Sequence, residues 1–205
     1  MPAAKVVIVT PAPPGSRAGN RKTAIRWAQF LRDFGCRVSV LTQWAGEPCD
    51  LLVALHARKS HDALRAFRES HPDRPAVLAL TGTDIYRDIR QDRDAAASLE
   101  MATRLIVLQK EALEELTPKQ RRKARVIHQS VTSSLVPVPP VRKFRLCVLG
   151  HLREEKDPFC AARALRWVPD SHVEIIQAGR ALSAKMTHEA ERRMRDDARY
   201  RWVGE

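Results

Sequence analysis

Between Phe144 and Pro158 the chain reads FRLCVLGHLREEKDP. An apolar run, Leu146–Cys147–Val148–Leu149, turns at Gly150, and His151, Arg153 and Lys156 then gather positive charge around one turn. Pro158 stands where the first turn of a helix would open, with Ala161, Leu165 and Val168 following at helical spacing. A short apolar run suits a strand of a parallel sheet buried on both faces, and a glycine turn then leads to a helix. Backbone N–H groups and cations at such a turn suit an anion, most naturally a phosphate. A plain strand–loop–helix with a solvated charged loop fits the same local pattern.

Three earlier loops carry similar chemistry, each after an apolar run. Gly15, Arg17, Gly19, Asn20 and Arg21 follow the run Val6–Val9. His56, Arg58 and Lys59 follow Asp50–Leu55, and Thr81, Gly82, Thr83 and Asp84 follow Ala76–Leu80. In a parallel sheet, loops at the C-terminal ends of strands share one edge, where ligands bind. Together these groups would neutralise and hydrogen-bond a small anionic acceptor. Singly, each has a plainer reading: a hydrogen-bonded structural histidine for His56, a helix N-cap for Asp84, solvated surface charge for any one Arg or Lys. The Gly15–Gly19 loop is not a GxGxxG, and Asp33 and Asp50 are poorly placed to hold a ribose, which excludes a dinucleotide site of the usual kind.

The elements that must position these loops alternate. After the first strand comes a helix with Ala24, Trp27, Ala28, Leu31 and Phe34 on one face, closed by Gly35. Arg37–Thr42 is a second strand, and a helix runs through Leu64 and Phe67 between strands three and four. A short helix ending over Leu99–Met101, a strand Arg104–Leu108, a helix Lys110–Leu116 stopped near Pro118, and a strand Ala124–Ile127 complete the series. The expected organisation is α/β: a complete Rossmann-like parallel-sheet domain over 1–130, a Pro-rich linker over 131–142, and the beginning of a second such domain over 143–205. In the second, strands at 144–149, 172–177 and 199–203 alternate with helices at 158–167 and 181–197.

Composition narrows the partners. The chain has 205 residues, 44% of them hydrophobic, and a net charge of +12 carried mainly by arginine. That suits phosphorylated ligands. With only 5% aromatic residues and the charge dispersed, a nucleic-acid partner is not expected. Cys36, Cys49, Cys147 and Cys160 form no CxxC, and Cys36 and Cys147 lie in or beside apolar strands, so they read as reduced core residues of a cytoplasmic protein. No Cys/His spacing fits zinc, and no metal or other cofactor is expected. The apolar run near the N-terminus is too short for a signal sequence or a transmembrane segment.

The second turn, Gly150–His151–Leu152–Arg153–Glu154–Glu155–Lys156, resembles the Gly-Arg-Leu…Glu-Lys turn of the two-Rossmann-domain (GT-B) glycosyltransferases. Lys156 falls on that family's diphosphate-binding lysine, while its arginine is matched by His151 or Arg153. Thr81–Gly82–Thr83–Asp84 resembles its His-Gly…Asp segment, with threonine at the histidine. More narrowly, PAPPGSRAGNRKTAIRWAQFLRDFG, DLLVALHARKS, LALTGTDIYRDI, LCVLGHLREEKDP and RYRWVGE resemble the selenosugar synthases of selenoneine biosynthesis. The resemblance implies a C–Se bond formed between a UDP-sugar, UDP-N-acetylglucosamine or UDP-glucose, and selenophosphate. It implies a donor diphosphate at Gly150, His151, Arg153 and Lys156, with Arg153 and Lys156 catalytic. The acceptor would lie at Gly15, Arg17, Gly19, Asn20, Arg21, His56, Arg58, Thr81, Gly82, Thr83 and Asp84. The acidic segment that grips sugar and ribose in that family is expected beyond Glu205. A glycosyltransferase with a hydroxyl or lipid acceptor, or an inactive fragment of one, are the alternatives.

Overall fold

The computed structural model describes residues 3–130, 143–169 and 172–205; the Pro-rich linker expected over 131–142 lies outside them. The chain divides into two compact units, residues 1–132 and 133–205.

The first unit alternates strand and helix. It runs β1 (Lys5–Val9), α1 (Gly19–Asp33), β2 (Arg37–Leu41), β3 (Leu51–Leu55), α2 (His61–Ser70) and β4 (Ala76–Leu80). A π-helical turn (Asp84–Asp88) leads into α3 (Ile89–Gln91), followed by α4 (Arg93–Met101), β5 (Arg104–Val107), a 3₁₀ turn (Glu111–Glu115), α5 (Pro118–Lys123) and β6 (Ala124–Val126). The six strands form one parallel sheet in the order β2-β1-β3-β4-β5-β6. Alternate residues of each strand serve opposite faces. Val6 and Ile8 pack with Ala24 and Ala28 of α1, whereas Val7 and Val9 join a larger core with Leu64 and Phe67 of α2 and Leu99 of α4. With both faces covered, such strands read as continuous apolar runs. The strand order reverses between β1 and β3, and in open parallel sheets ligands commonly bind at the C-terminal ends of the strands at such a reversal.

Two local expectations are corrected. Phe34 is 85% exposed rather than on the packed face of α1. It sits at the C-cap, past the last helical residue, where Gly35 turns the chain at φ +84°. Residues 111–115 form a 3₁₀ turn rather than a full helix, and Pro118 opens α5 instead of ending its predecessor. Thr117 and Gln120 close a reciprocal capping box around that start. Proline fits the first helical position because its missing N–H would have had no partner there.

The second unit holds β7 (Phe144–Leu149), a 3₁₀ turn (Glu154–Lys156), α6 (Cys160–Ala164), a 3₁₀ turn (Leu165–Trp167), β8 (Val173–Ala178), α7 (Ala184–Asp196) and β9 (Tyr200–Trp202). Its parallel sheet has the order β7-β8-β9 around a core of Leu152, Phe159, Leu165, Ile175, Met186, Ala190 and Tyr200. β7 departs from the buried strand expected of it. It is an edge strand with Phe144, Leu146, Cys147 and Leu149 exposed, Leu149 at 76%. Cys147 is therefore not a core residue; Cys36 is half-buried, Cys49 is buried, and all four cysteines are free thiols. Among the described residues no helix is long and apolar enough to cross a membrane.

Candidate functional site

In the first unit the acceptor candidates gather at the C-terminal edge of the sheet, and one side chain organises two of their loops. Asp84 is fully buried. Its Oδ1 accepts from Gly82 N at 2.7 Å and its Oδ2 from Ala57 N at 3.0 Å, while Thr81 N is shared between them at 3.1 and 3.2 Å. It thus ties the loop after β3 to the loop after β4. Its carboxylate faces backbone donors, so its contribution is to shape the loops, not to face solvent. Thr83, not Asp84, stands at the N-terminal boundary of the π-helical turn, and it makes no side-chain cap bond.

His56 is 5% exposed and adopts φ +78°, rare for a non-glycine residue. Its Nδ1 accepts from Lys59 N at 3.4 Å, and its Nε2 lies 3.9 Å from Asp88 Oδ2. Burial pushes its pKa below the usual histidine value, outweighing the attraction of Asp84. The imidazole is therefore neutral near pH 7. Ser60 donates to Leu55 O at 2.7 Å, pinning the turn that follows β3.

The loop after β1 folds by its own short bonds: Gly15 takes φ +79°, Ser16 N donates to Pro13 O, and Ala18 N donates to Ser16 Oγ. It leads into α1, whose first turn holds no acidic residue and includes Gly19, Asn20 and Arg21. Arg21 Nη1 and Thr81 Oγ1 are buried atoms with no hydrogen-bond partner among the described residues. Arg17 is exposed.

Sequence reasoning missed Asp88 and took Arg87 only as a cation of the loop after β4. The i,i+4 spacing of Asp84 and Asp88 was the available signal: it stacks the two carboxylates one turn apart on the inner face. Asp88 accepts from Arg58 Nε at 3.1 Å on Oδ2 and from Arg87 Nε at 3.2 Å on Oδ1. Burial works to raise its pKa, but the hydrogen bonds from Arg87 and Arg58 hold it below the ordinary carboxylate value. The metal-free expectation must also reckon with Asp92–Arg93–Asp94, an Asp-x-Asp pair of the spacing that can grip a metal diphosphate. In the structure Asp92 caps α4, accepting from Ala95 N at 2.8 Å, and Asp94 Oδ1 lies 3.7 Å from His61 Nε2.

In the second unit the turn after β7 is built against β8. Gly150 N donates to Ala178 O, Leu152 N to Arg180 O and Leu182 N to Leu152 O. His151 Nδ1 accepts from Arg180 N at 3.1 Å, which fixes the ring. A Cβ at Gly179 would meet Gly150 O at 2.1 Å, so only glycine fits beneath the turn. Lys156 folds back over Gly150, its Nζ 3.4 Å from where a Cβ at that position would stand. Arg153 is half-buried, and its buried Nε has no hydrogen-bond partner among the described residues. The helix expected to begin at Pro158 starts instead at Cys160 and is five residues long. Asp157 takes φ +41° and binds Arg163 through both carboxylate oxygens, which delays helix entry. So short a helix offers little dipole to an anion, leaving the turn's side chains and N–H groups as its positive features.

No protein-family model matches the chain, and no curated protein matches it. Among solved structures it is similar to Anabaena Alr3699/HepE, crystallised with UDP and glucose (TM-score 0.60), with UDP (0.61) and with UDP-glucose (0.58). Each match has 16% sequence identity and covers 98% of this chain and 69% of HepE. At that identity the likeness establishes the fold alone, α/β with Rossmann-like parallel sheets of the GT-B kind.

Proposed function

We propose that the chain serves a glycosyltransferase that joins the sugar of a UDP-sugar to selenophosphate through a C–Se bond. The observation that carries the reading is the Gly150–Lys156 turn, with an ammonium folded over a glycine backbone and an Arg153 Nε that has no hydrogen-bond partner among the described residues. Its support is the fold shared with a protein that binds UDP and UDP-glucose. As the C1–O bond of the donor breaks, UDP carries away the electron pair and charge grows on the β-phosphate. Fixed cations there stabilise that transition state. Lys156 and Arg153 supply them in this reading, and His151 and Gly150 complete the wall.

Selenophosphate attacks C1 through selenium, which carries no proton at neutral pH, so no general base is required. This agrees with a threonine at position 81 and with a His56 that is buried and engaged at Nδ1. Gly15, Arg17, Gly19, Asn20, Arg21, Arg58, Thr81, Gly82 and Thr83 would neutralise and bind the acceptor, on loops that Asp84 and His56 shape. No cofactor enters the proposed step.

The direct test is mass-spectrometric detection of the Se-glycosyl selenophosphate, or of the selenosugar released when water cleaves its P–Se bond, from UDP-N-acetylglucosamine or UDP-glucose with selenophosphate. Lys156→Ala and Arg153→Ala should each lower turnover about tenfold or more, as the loss of transition-state charge stabilisation does. Unchanged turnover in both variants refutes their assignment. Product from a sugar hydroxyl acceptor, with none from selenophosphate, refutes the acceptor.

A further inference from the structure

Arg180 is a cation that the proposed reaction has not used. It stands just past the C-terminal end of β8 and is exposed. Its backbone is held against the turn after β7 from both sides: Arg180 N donates to His151 Nδ1 at 3.1 Å, and Arg180 O accepts from Leu152 N at 3.0 Å. Ala181 then pairs with Leu152 in a parallel bridge, and Leu182 N donates to Leu152 O. The loop after β8 is thus a second wall laid along the Gly150–Lys156 turn. The Arg180 guanidinium makes no hydrogen bond or ion pair among the described residues. Two acids of the neighbouring turn are committed elsewhere. Asp157 gives both carboxylate oxygens to Arg163, and Glu154 pairs with Lys185. Those partners hold both carboxyls below the ordinary range. Arg153, Lys156 and Arg180 are left without a carboxylate partner among the described residues. α7 opens on the same edge just after Arg180, thirteen residues long and with no acid in its first turn, so its positive end adds to theirs.

We infer that Arg180 is a donor-binding residue, gripping the diphosphate of the nucleotide sugar from the loop after β8 while Lys156 and Arg153 grip it from the turn after β7. This role rests on the diphosphate reading of that turn. Adjacent strands lie about 4.8 Å apart, so cations on the two loops can reach one small ligand together. A guanidinium matches phosphate oxygens with paired N–H donors, and each phosphate of a diphosphate carries its own charge. Cations on two walls therefore favour an anion with two charged centres over an anion with one.

The test uses inorganic pyrophosphate and inorganic phosphate as probes, each titrated by calorimetry into the 205-residue chain at constant ionic strength. Arg180→Ala should weaken pyrophosphate about tenfold, as the loss of a charge-assisted hydrogen bond does, and should weaken phosphate distinctly less. Arg180→Lys, which keeps the charge and loses the fork, should recover part of the loss. Arg192→Ala removes the same charge from the far half of α7, where Arg192 pairs with Glu189 and Asp196, and should change neither affinity. The alanine variant keeps the backbone bonds of position 180 and loses only an exposed side chain, so its fold is retained. Pyrophosphate affinity of Arg180→Ala within about twofold of the native chain overturns the proposal, and so does an equal loss in Arg192→Ala. Lys156→Ala separates this role from the reading beneath it. If Lys156→Ala weakens pyrophosphate and Arg180→Ala does not, the turn holds a diphosphate without Arg180, and only the role of Arg180 falls. If the native chain binds no pyrophosphate at millimolar concentration, both fall. A tenfold loss in Arg180→Ala stands even where the selenosugar assay is negative, because it concerns the donor and not the acceptor.

Discussion

Replacing Gly179 by alanine tests how the turn after β7 is held. The added Cβ would lie 2.1 Å from Gly150 O, 2.4 Å from Gly150 C and 2.8 Å from His151 N. A close C···O approach is about 3.3 Å, so the turn must move by about 1 Å. Overpacking of this kind costs about 1–3 kcal/mol, and alanine at the φ of +147° found there adds about 1–3 kcal/mol of backbone strain. The second unit spans residues 133–205, and at typical stabilities per residue it has about 4–10 kcal/mol to lose. Gly150→Ala is the control. Its Cβ meets the mobile end of Lys156 at 3.4 Å, so only the strain of φ +150° remains.

Amide hydrogen exchange reads the difference. Gly150, Leu152 and Leu182 donate across the turn and Gly179 donates to Gly204 O. A loss of 2 kcal/mol accelerates exchange of such amides about thirtyfold. We expect at least that in Gly179→Ala, with β1–β6 unaffected, and a smaller change in Gly150→Ala. Because a misplacement of about 1 Å can cost a hundredfold in rate, Gly179→Ala should also lower product formation in the selenosugar assay more than Gly150→Ala does. Exchange of the Gly179→Ala turn within threefold of the native chain refutes the packing argument.

Removing the Asp84 side chain in Asp84→Ala leaves buried donors at Ala57, Thr81 and Gly82 without their acceptor. At about 1–3 kcal/mol each, the loss measured by urea unfolding should be about 3 kcal/mol or more, with Asp84→Asn falling between. His56 has its pKa depressed by burial from 6.5, so below pH 6.5 the unfolded chain takes up a proton that the folded chain resists. Its contribution is intact above pH 6.5 and declines as pH falls toward the folded value. Unfolding free energies measured from pH 8 to pH 5 should therefore fall less steeply in His56→Asn, a substitution that tolerates positive φ. A slope equal to that of the native chain rejects this role for the histidine.

The alternation of strands and helices was legible because it is written locally. Val6–Val9, Leu51–Leu55 and Ala76–Leu80 are apolar runs bounded by turn residues, and the structure makes strands of them within a residue or so. The edge on which the candidate loops fall followed from the parallel reading. Pro118 was misleading because proline marks both the stop of one helix and the start of the next, and the Thr117–Gln120 box decides between them. The hydrophobicity of β7 was equally local, yet Leu146 and Leu149 are exposed, since burial depends on which strand lies alongside.

Sequence alone determined the α/β class and most of the alternation of strands and helices. Tertiary structure decided the reversal of strand order between β1 and β3, the turning of Asp84 onto three backbone donors, and the pairing of Arg58 with Asp88 thirty positions away. It also set Gly179 against Gly150. The reason is one of range. Hydrophobic period, caps and turns act over a few residues and can be read in a short window, whereas the partner of a buried charge or a missing Cβ is fixed only when distant segments pack together.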